Sequence, residues 1–177
     1  QVSDTLNSVL KNGAFDLSEV GLSDEDMEKI SQIYIVACGS AYHVGMVAQY
    51  VIEDLAKIPV RVELASEFRY RKPLLDKNGL VIVVSQSGET ADSLAALREA
   101  KEKGIRTLGI VNVVGSSIAR EADNVFYTLA GPEISVATTK AYSTQLIASY
   151  VLAIQLAKVK GQIDEEQYSA YVEELKT

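Results

Sequence analysis

The sequence predicts an α/β protein: a three-layer α/β/α sandwich around a five-stranded parallel sheet of flavodoxin-like type, with strand order 2-1-3-4-5. The run Leu80–Val84 consists of five consecutive apolar residues, which is typical of a strand buried on both faces. A helical pattern follows this run and ends at Gly104. The same alternation of strand and helix recurs along the 177 residues, and it favours a parallel sheet between helices.

Residues 1–31 are predicted to form a helical lead-in. Weak helical periodicity runs from Gln1 to Asn12, and the acidic residues after Ser23 favour a second helix because they suit its dipole. The first strand is predicted over Ile33–Ala37, and a helix follows from about Tyr42 to Ala56.

The remaining elements of the predicted α/β core, residues 32–160, continue the alternation. Ile58–Leu64 alternates apolar and polar residues as an outer strand does. Thr107–Val111 and Asn124–Leu129 are predicted as the fourth and fifth strands, with a short helix around Ser117–Glu121 between them.

Two helices are predicted to complete a single domain of 177 residues. A long and largely apolar helix runs from Lys140 to Lys160. An amphipathic helix, Asp164–Lys176, forms most of the C-terminal segment 161–177.

Composition excludes several classes of function. The net charge of −7 argues against a nucleic-acid partner and against an anionic membrane surface. The longest apolar stretch, Leu146–Ala157, is too short to span a bilayer, and Gln1–Gly13 does not read as a signal peptide. The single cysteine, Cys38, allows no internal disulfide and favours a reducing, cytoplasmic location. Because the chain does not begin with methionine, we expect it to be a piece of a longer protein.

The loop Ser85–Thr90 carries the clearest chemical signal. It contains three hydroxyl side chains and Gly88, and it joins a buried strand to a helix. With Ser87 as the predicted N-cap, the first turn offers free backbone N–H groups and the positive end of a helix dipole, which together suit a phosphate. The site requires Glu89 to point away from the anion. The simpler alternative is that the loop only caps its helix.

The predicted strand order also points to the Ser85–Thr90 loop as part of a binding site. In the predicted strand order, the switch point lies between the first and third strands, and ligands bind there beyond the carboxyl ends of the strands. The loops that leave these two strands are Cys38–Ala41 and Ser85–Thr90. We therefore predict a binding site between them.

Other motifs carry less weight. The sequence has no dinucleotide or P-loop glycine pattern, and we predict neither a cofactor nor a metal site. His43, the only histidine, is predicted to serve packing or the surface, and Cys38 to be a small core residue rather than a nucleophile. A third polar loop is predicted over 133–139, before the long helix. Glu133 and Lys140 flank it, where they could touch a substrate or form a structural ion pair.

Four sequence blocks resemble the glutamine–fructose-6-phosphate transaminase (isomerizing) family, also called glucosamine-6-phosphate synthases. They are Ala37–Tyr42, Glu63–Arg71, Ser85–Asp92 and Val136–Ala141. The Ser-Gln-Ser-Gly segment alone indicates a sugar isomerase (SIS) domain, and Ala-Ser-Glu-Phe-Arg-Tyr-Arg narrows the resemblance to this enzyme family. The chain is similar to the first of the enzyme's two SIS domains.

The resemblance implies a set of residues that bind fructose 6-phosphate or glucosamine 6-phosphate. They are Ser40, Ala41, Ser85, Gln86, Ser87, Gly88, Thr90, Val136 and Thr138. The family commonly has serine where this chain has Ala41. Loss of that hydroxyl lowers the expected phosphate affinity by about 1.5–3 kcal/mol at most.

The resemblance also implies what this chain lacks. The family enzyme transfers ammonia from glutamine to fructose 6-phosphate and isomerises the product to glucosamine 6-phosphate, for amino-sugar synthesis. Its glutaminase domain and second SIS domain, which carries the catalytic residues, are absent here. We therefore expect this chain to bind sugar phosphate without catalysing the reaction alone. Its expected partners are those two domains and a second copy of the chain in a homodimer.

Two other readings stay open. The chain could be a stand-alone SIS sensor of sugar phosphates, although residues 1–30 offer no DNA-binding helix-turn-helix. It could also be a dimerisation module. Its surface would then involve residues that core packing explains equally well: Tyr142, Tyr150, Leu152, Tyr168 and Tyr171.

Overall fold

The computed structural model describes residues 1–134 and 138–177. In chain order the helices are α1 Val2–Asn7, α2 Asp24–Lys29, α3 Ser40–Ala56, α4 Ala65–Arg71, α5 Ala91–Glu102, α6 Ser117–Glu121, α7 Lys140–Val159 and α8 Glu165–Glu174. The strands are β1 Leu10–Lys11, β2 Ala14–Phe15, β3 Gln32–Ala37, β4 Val60–Leu64, β5 Gly79–Ser85, β6 Arg106–Val111 and β7 Asn124–Tyr127.

Five of the strands form the predicted parallel sheet. Its order is β4-β3-β5-β6-β7, so the five strands in chain order stand as 2-1-3-4-5, which confirms the prediction. In β3, which lies inside the sheet, Ile33 is paired with Val60 on one side and with Leu80 on the other. All seven residues of β5 are buried, as the continuous apolar run predicts.

Side chains that alternate along the strands divide the core into two layers. Ile33, Ile35 and Ala37 of β3 belong to a core that includes residues of α3, α7 and α8. Tyr34 and Val36, the residues between them, belong to the core beneath α4, α5 and α6. Helices therefore cover both faces of the sheet, which confirms the three-layer sandwich.

The N-terminal segment differs from the predicted helical lead-in. α1 ends at Asn7, and β1 and β2 form an antiparallel hairpin in place of the rest of the predicted helix. The turn residues Asn12 and Gly13 have φ angles of 53° and 80°, as a type I′ hairpin turn requires. Asn-Gly is the commonest sequence signal for such a turn. The predicted helix over Gln1–Asn12 is wrong beyond Asn7 because its periodicity is weak, whereas the Asn12-Gly13 pair is a specific turn motif.

α4 lies in a stretch that the sequence analysis left without an element. Its first residue, Ala65, and Phe68 are both fully buried against the sheet. Arg71, at its last position, forms an ion pair with Glu63 of β4. Only two residues of this helix are buried, so its apolar periodicity is weak in the sequence.

The proposed dimerisation residues do not form one surface. Leu152 and Tyr168 are buried within the chain, with 2% and 1% of their surfaces exposed. Tyr142, Tyr150 and Tyr171 are half-buried. Among the described residues, no helix is long and apolar enough to cross a membrane.

Candidate functional site

A cavity of about 370 Å³ opens at the carboxyl edge of β3 and β5, at the predicted switch point. Its described lining consists of Cys38, Gly39, Ser40, Ala41, Val84, Ser85, Gln86, Ser87, Thr90, Glu133, Thr138 and Gln145. The structure thus brings together most of the residues that the sequence analysis singled out as phosphate or sugar ligands.

Three helices begin at this cavity. α3 starts at Ser40, α5 starts immediately after Thr90, and α7 starts two residues after Thr138. None of the three has an N-cap side chain that bonds to its first turn. The positive ends of the three dipoles and first-turn N–H groups of α3 and α5 are therefore available to an anion in the cavity, whereas at α7 the N–H of Ala141 already donates to the Thr138 hydroxyl.

The start of α5 differs from the prediction. Ser87 was predicted as its N-cap, but the helix begins at Ala91 and Thr90 occupies the cap position. Gly88 has a φ of +68°, which turns the chain before the helix can begin. The hydroxyl of Ser87 instead accepts a hydrogen bond from the N–H of Glu89 at 3.2 Å. Its own hydrogen points to no described acceptor, so it can be donated to a ligand.

Ser85 and Thr90 brace the two ends of the loop. The Ser85 Oγ accepts a hydrogen bond from the N–H of Gly88 at 3.0 Å and lies 3.1 Å from the Thr90 Oγ1. One of the two hydroxyl hydrogens is used between the two oxygens, and the other remains. The pair can therefore donate one hydrogen bond to a ligand rather than two.

The back of the loop rests on α6. A Cβ at Gly88 would lie 2.1 Å from the Ser116 Oγ, so only glycine fits there. Ser116 is the N-cap residue of α6, and its buried hydroxyl has no hydrogen-bond partner among the described residues. The carbonyl of Gly88 also accepts a hydrogen bond from the N–H of Ile118 at 3.0 Å. These contacts fix the shape of the loop from behind.

Glu89 points away from the cavity, as an anion site requires. Its carboxylate accepts a hydrogen bond from the N–H of Ser117 at 2.8 Å, and it is not among the residues that line the cavity. Hydrogen bonding by Ser117 lowers the pKa of Glu89, so the carboxylate stays charged but is engaged elsewhere.

The loop after β3 forms the facing wall. Gly39 adopts φ 59° and ψ −136°, a conformation that essentially only glycine tolerates, and the chain then enters α3. Ser40 is exposed at the cavity, whereas Ala41 is buried and offers its backbone N–H rather than a side chain. Cys38 is half-buried and lines the cavity, with its Sγ 3.9 Å from the Ser93 Oγ. It packs against the core beneath α4, α5 and α6, as predicted for a small core residue, and it also lines the cavity.

The third loop supplies a carboxylate. Thr138 donates a hydrogen bond from its hydroxyl to the Glu133 Oε2 and accepts one from the N–H of Ala141 at 3.2 Å. Lys140 donates to the carbonyl of Pro132 and is not among the lining residues, so its contact with a ligand stays a prediction. Val136, also predicted to line the sugar, lies outside the described residues.

Gln145 is a lining residue that the sequence analysis missed. It lies inside the predicted long helix α7, and 3% of its surface is exposed. The signal that could have found it is its place less than two turns after the third loop, because a polar residue there lies near the edge of the sheet where the cavity was predicted.

The described lining of the cavity contains no lysine or arginine. Glu133 is the one charged residue among the described lining side chains, and no lysine or arginine accompanies it. Within the described ranges, no three histidine, cysteine or acidic side chains are grouped so that they could hold a metal ion. The groups that the described lining offers to an anion are hydroxyls, backbone N–H groups and helix dipoles.

Comparison with known families agrees with this geometry. The family model described as the SIS domain matches residues 26–155, which is most of the chain. The chain belongs to the SIS domain family. The matched residues include both loops at the switch point and the first part of α7.

This SIS domain is also similar to part of longer enzymes. It is 57% identical over 175 residues to the glutamine–fructose-6-phosphate aminotransferase (isomerizing) of Clostridium tetani, a match that covers 98% of the chain and 29% of that protein. It is 54% identical over 176 residues to the same enzyme of Caldanaerobacter subterraneus, which covers 99% of the chain and again 29% of the relative. The chain thus spans less than a third of the length of these relatives.

A solved structure shares the fold closely. The C-terminal domain of glucosamine-fructose-6-phosphate aminotransferase from Francisella tularensis superposes with a TM-score of 0.95 at 45% sequence identity. The match covers 99% of this SIS domain and 50% of that chain. One copy of the present fold therefore accounts for half of that structure.

Proposed function

We propose that this SIS domain binds a hexose 6-phosphate, and that it is the substrate-binding first SIS domain of a glutamine–fructose-6-phosphate aminotransferase. The observation that carries the proposal is the cavity at the switch point, where three helix N-termini and the Ser85–Thr90 loop offer hydrogen-bond donors to one anion. The identity to aminotransferases, above 50% over nearly the whole chain, supports fructose 6-phosphate as the ligand.

The chain supplies binding groups rather than the groups that move protons. Isomerisation requires a general acid and a general base within reach of C1 and C2 of the sugar. Among the described lining residues, only Cys38 and Glu133 can titrate. We therefore propose that the second SIS domain supplies the catalytic groups, that the glutaminase domain supplies ammonia, and that the assembly is a homodimer. We expect the isolated chain to bind fructose 6-phosphate without isomerising it. A cytoplasmic location stays a prediction from the single cysteine.

A stand-alone sugar-phosphate sensor is the alternative from another class. Such a regulator needs a module that contacts its target. In the first 30 residues, α1 and α2 have six residues each, and a β-hairpin separates them. This is not the geometry of a helix-turn-helix. No observation on this chain favours the sensor over the enzyme domain.

Calorimetric titration tests the proposal. We expect the chain to bind fructose 6-phosphate and inorganic phosphate, and free fructose to give no signal. Ser87→Ala removes a hydroxyl that can donate to the phosphate, and it should weaken binding about 10- to 100-fold, as expected for one hydrogen bond to a charged group. Ser169→Ala, at an exposed position on α8, is the matched control and should leave binding unchanged.

Two results would refute the proposal. One is the absence of heat with either phosphate ligand at concentrations that saturate comparable sites. The other is binding of fructose 6-phosphate that Ser87→Ala does not weaken, because the phosphate would then lie elsewhere.

A further inference from the structure

Gln145 carries a buried amide that the described fold does not use. The residue is 97% buried in α7 and lines the cavity. Its side-chain amide has no hydrogen-bond partner among the described residues, although its backbone carbonyl accepts from the Ser149 hydroxyl at 2.9 Å. Its polar neighbour Thr144 is satisfied, because that hydroxyl donates to the Ala141 carbonyl at 3.0 Å. The amide is not sealed in the core, because the one enclosed side-chain polar atom without a partner among the described residues is the Ser116 hydroxyl. The amide is instead open to the cavity, so its hydrogen-bond partner is whatever occupies the cavity.

A second glutamine on the same helix makes the contrast clear. Gln155 is 93% buried, and both polar atoms of its amide have a protein partner. Its Nε2 donates to the Asp24 carboxylate at 3.4 Å, and its Oε1 accepts from the Tyr168 hydroxyl at 3.0 Å. Gln155 is thus explained by the fold, whereas Gln145 is not.

The position of Gln145 indicates which part of a ligand it meets. Val84 belongs to the core beneath α3 and α7, and Ser85, the next residue of β5, points to the other face of the sheet. Gln145 therefore approaches the cavity from the face opposite to the hydroxyls of Ser85 and Thr90. The Ser85–Thr90 loop and Gln145 line the same cavity, so a phosphate held in the loop leaves the rest of the ligand to fill the space that Gln145 borders.

The chemistry of the amide fits that part of the ligand. A carboxamide both donates and accepts hydrogen bonds, as a sugar hydroxyl does, whereas a phosphate dianion only accepts. We propose that Gln145 is a further ligand-binding residue, whose side-chain amide hydrogen-bonds to a hydroxyl or carbonyl oxygen of the sugar rather than to its phosphate. This inference rests on the proposed function and extends it from phosphate binding to recognition of the sugar.

Substitution of Gln145 by methionine tests the inference. Gln145→Met keeps the length and helix propensity of the side chain and removes both polar atoms, and Gln145→Leu serves as a second variant if the first does not fold. We expect fructose 6-phosphate to bind at least 10-fold more weakly, while the affinity for inorganic phosphate stays within twofold of the wild type. Calorimetry measures both ligands, and thermal unfolding verifies that each variant is folded.

Gln155→Met is the matched control. It removes an amide that bonds only to protein groups, so it should lower the thermal midpoint and leave the affinity for fructose 6-phosphate unchanged. The two variants thereby distinguish an effect on ligand affinity, expected at Gln145, from an effect on stability, expected at Gln155.

The outcomes distinguish this inference from the proposed function. Unchanged binding of fructose 6-phosphate by Gln145→Met overturns the inference and leaves the proposed function standing. An equal loss of affinity for fructose 6-phosphate and for inorganic phosphate also overturns it, because the residue would then act through the Ser85–Thr90 loop, the anion loop. If the wild-type chain binds neither ligand, the proposed function fails and the inference fails with it.

Discussion

At the level of single residues, the anion loop depends on Gly88 for two separate reasons. Its φ of +68° disfavours any side chain, and an added Cβ would lie 2.1 Å from the Ser116 Oγ. The left-handed conformation costs about 1–2 kcal/mol for a non-glycine residue, and overpacking costs about 1–3 kcal/mol. Gly88→Ala should therefore lower the free energy of unfolding by about 2–5 kcal/mol and weaken phosphate binding. Urea unfolding and calorimetry measure the two effects.

Gly104→Ala separates the two contributions. Gly104 has a φ of +72°, but no atom lies within 4 Å of the position of an added Cβ. It should lose only the conformational part, about 1–2 kcal/mol, and keep full phosphate affinity. Equal losses of stability in the two variants would mean that Ser116 moves away freely, contrary to the packing described here.

The residues of the site were predictable to different degrees. The hydroxyls of Ser85, Ser87 and Thr90 were found because a short loop between a strand and a helix concentrates them. The cap position was missed, since the turn at Gly88 delays the helix and sequence does not reveal where a loop ends. Gln145 was missed because its place in the cavity lining depends on which face of α7 meets the cavity, and the sequence does not reveal that face.

At the level of elements, a charged contact joins α2 to the sheet. Asp26 of α2 lies 2.6 Å from Arg106 of β6 and completes a capping box with Ser23. Hydrogen bonding by Arg106, with further bonds from Ser23, lowers the pKa of Asp26 to about 2. Because this value lies below that of an unfolded aspartate, near 4, the contact stabilises the fold above about pH 4 and is lost as the pH falls towards 2.

Asp26→Asn should therefore reduce stability at pH 7, by about 1 kcal/mol or less for a pair that is partly exposed, and by progressively less below pH 4. Urea unfolding at several pH values measures the difference between the variant and the wild type. Glu28→Gln, on the exposed face of the same helix, is the control and should show no such trend. A difference that persists unchanged to pH 2 would contradict the assignment to this carboxylate.

A buried hydroxyl joins the C-terminal helix to two other elements. The Tyr168 hydroxyl accepts a hydrogen bond from the N–H of Phe15 at 2.8 Å and donates one to Gln155 at 3.0 Å. Tyr168→Phe leaves a buried N–H and an amide oxygen unsatisfied, so the free energy of unfolding should fall by about 1–3 kcal/mol. Tyr171→Phe, at a half-buried tyrosine on the same helix, should change it by less than about 0.5 kcal/mol. Thermal or urea unfolding measures the change in unfolding free energy of both variants. Equal changes would mean that the Tyr168 hydroxyl does not stabilise the fold through these bonds.

Element prediction succeeded where burial imposes a long pattern and failed where it does not. The five strands and the first residue of α7 follow from continuous or alternating apolar residues. The β1–β2 hairpin has only two residues in each strand, so no periodicity can develop, and only its Asn-Gly turn identifies it. α4 was not predicted for a related reason: only two of its seven residues are buried, which is too few to give a recognisable apolar helix face.

At the level of the whole molecule, topology could be predicted from sequence because parallel strands need helical crossovers and a right-handed connection, which leave few arrangements. The switch point then followed from the strand order without knowledge of any side-chain contact. The shape of the cavity could not be predicted in the same way, since α7 contributes to it from more than fifty residues beyond the Ser85–Thr90 loop. Long-range packing of this kind is set by the fold as a whole.

The charge distribution of the molecule predicts an unusual response to salt. The chain carries a net charge of −7, and Glu133 is the one charged residue among the described lining residues of the cavity. The long-range field therefore repels a phosphate that local neutral donors attract. Salt screens charges over about 30 Å at 0.01 M and about 8 Å at 0.15 M, so added salt weakens the repulsion more than it weakens the hydrogen bonds.

We therefore expect the affinity for fructose 6-phosphate to stay constant or to rise between about 0.01 M and 0.15 M salt, whereas a site built from lysine and arginine would lose affinity over that range. Glu133→Gln keeps the hydrogen bond from Thr138 and removes the local charge, so it should tighten the binding of inorganic phosphate at both salt concentrations. Calorimetry at the two ionic strengths measures both effects. A tenfold fall in affinity with salt would mean that a cation outside this lining holds the phosphate, and the account of a site made from hydroxyls and helix N-termini would then be wrong.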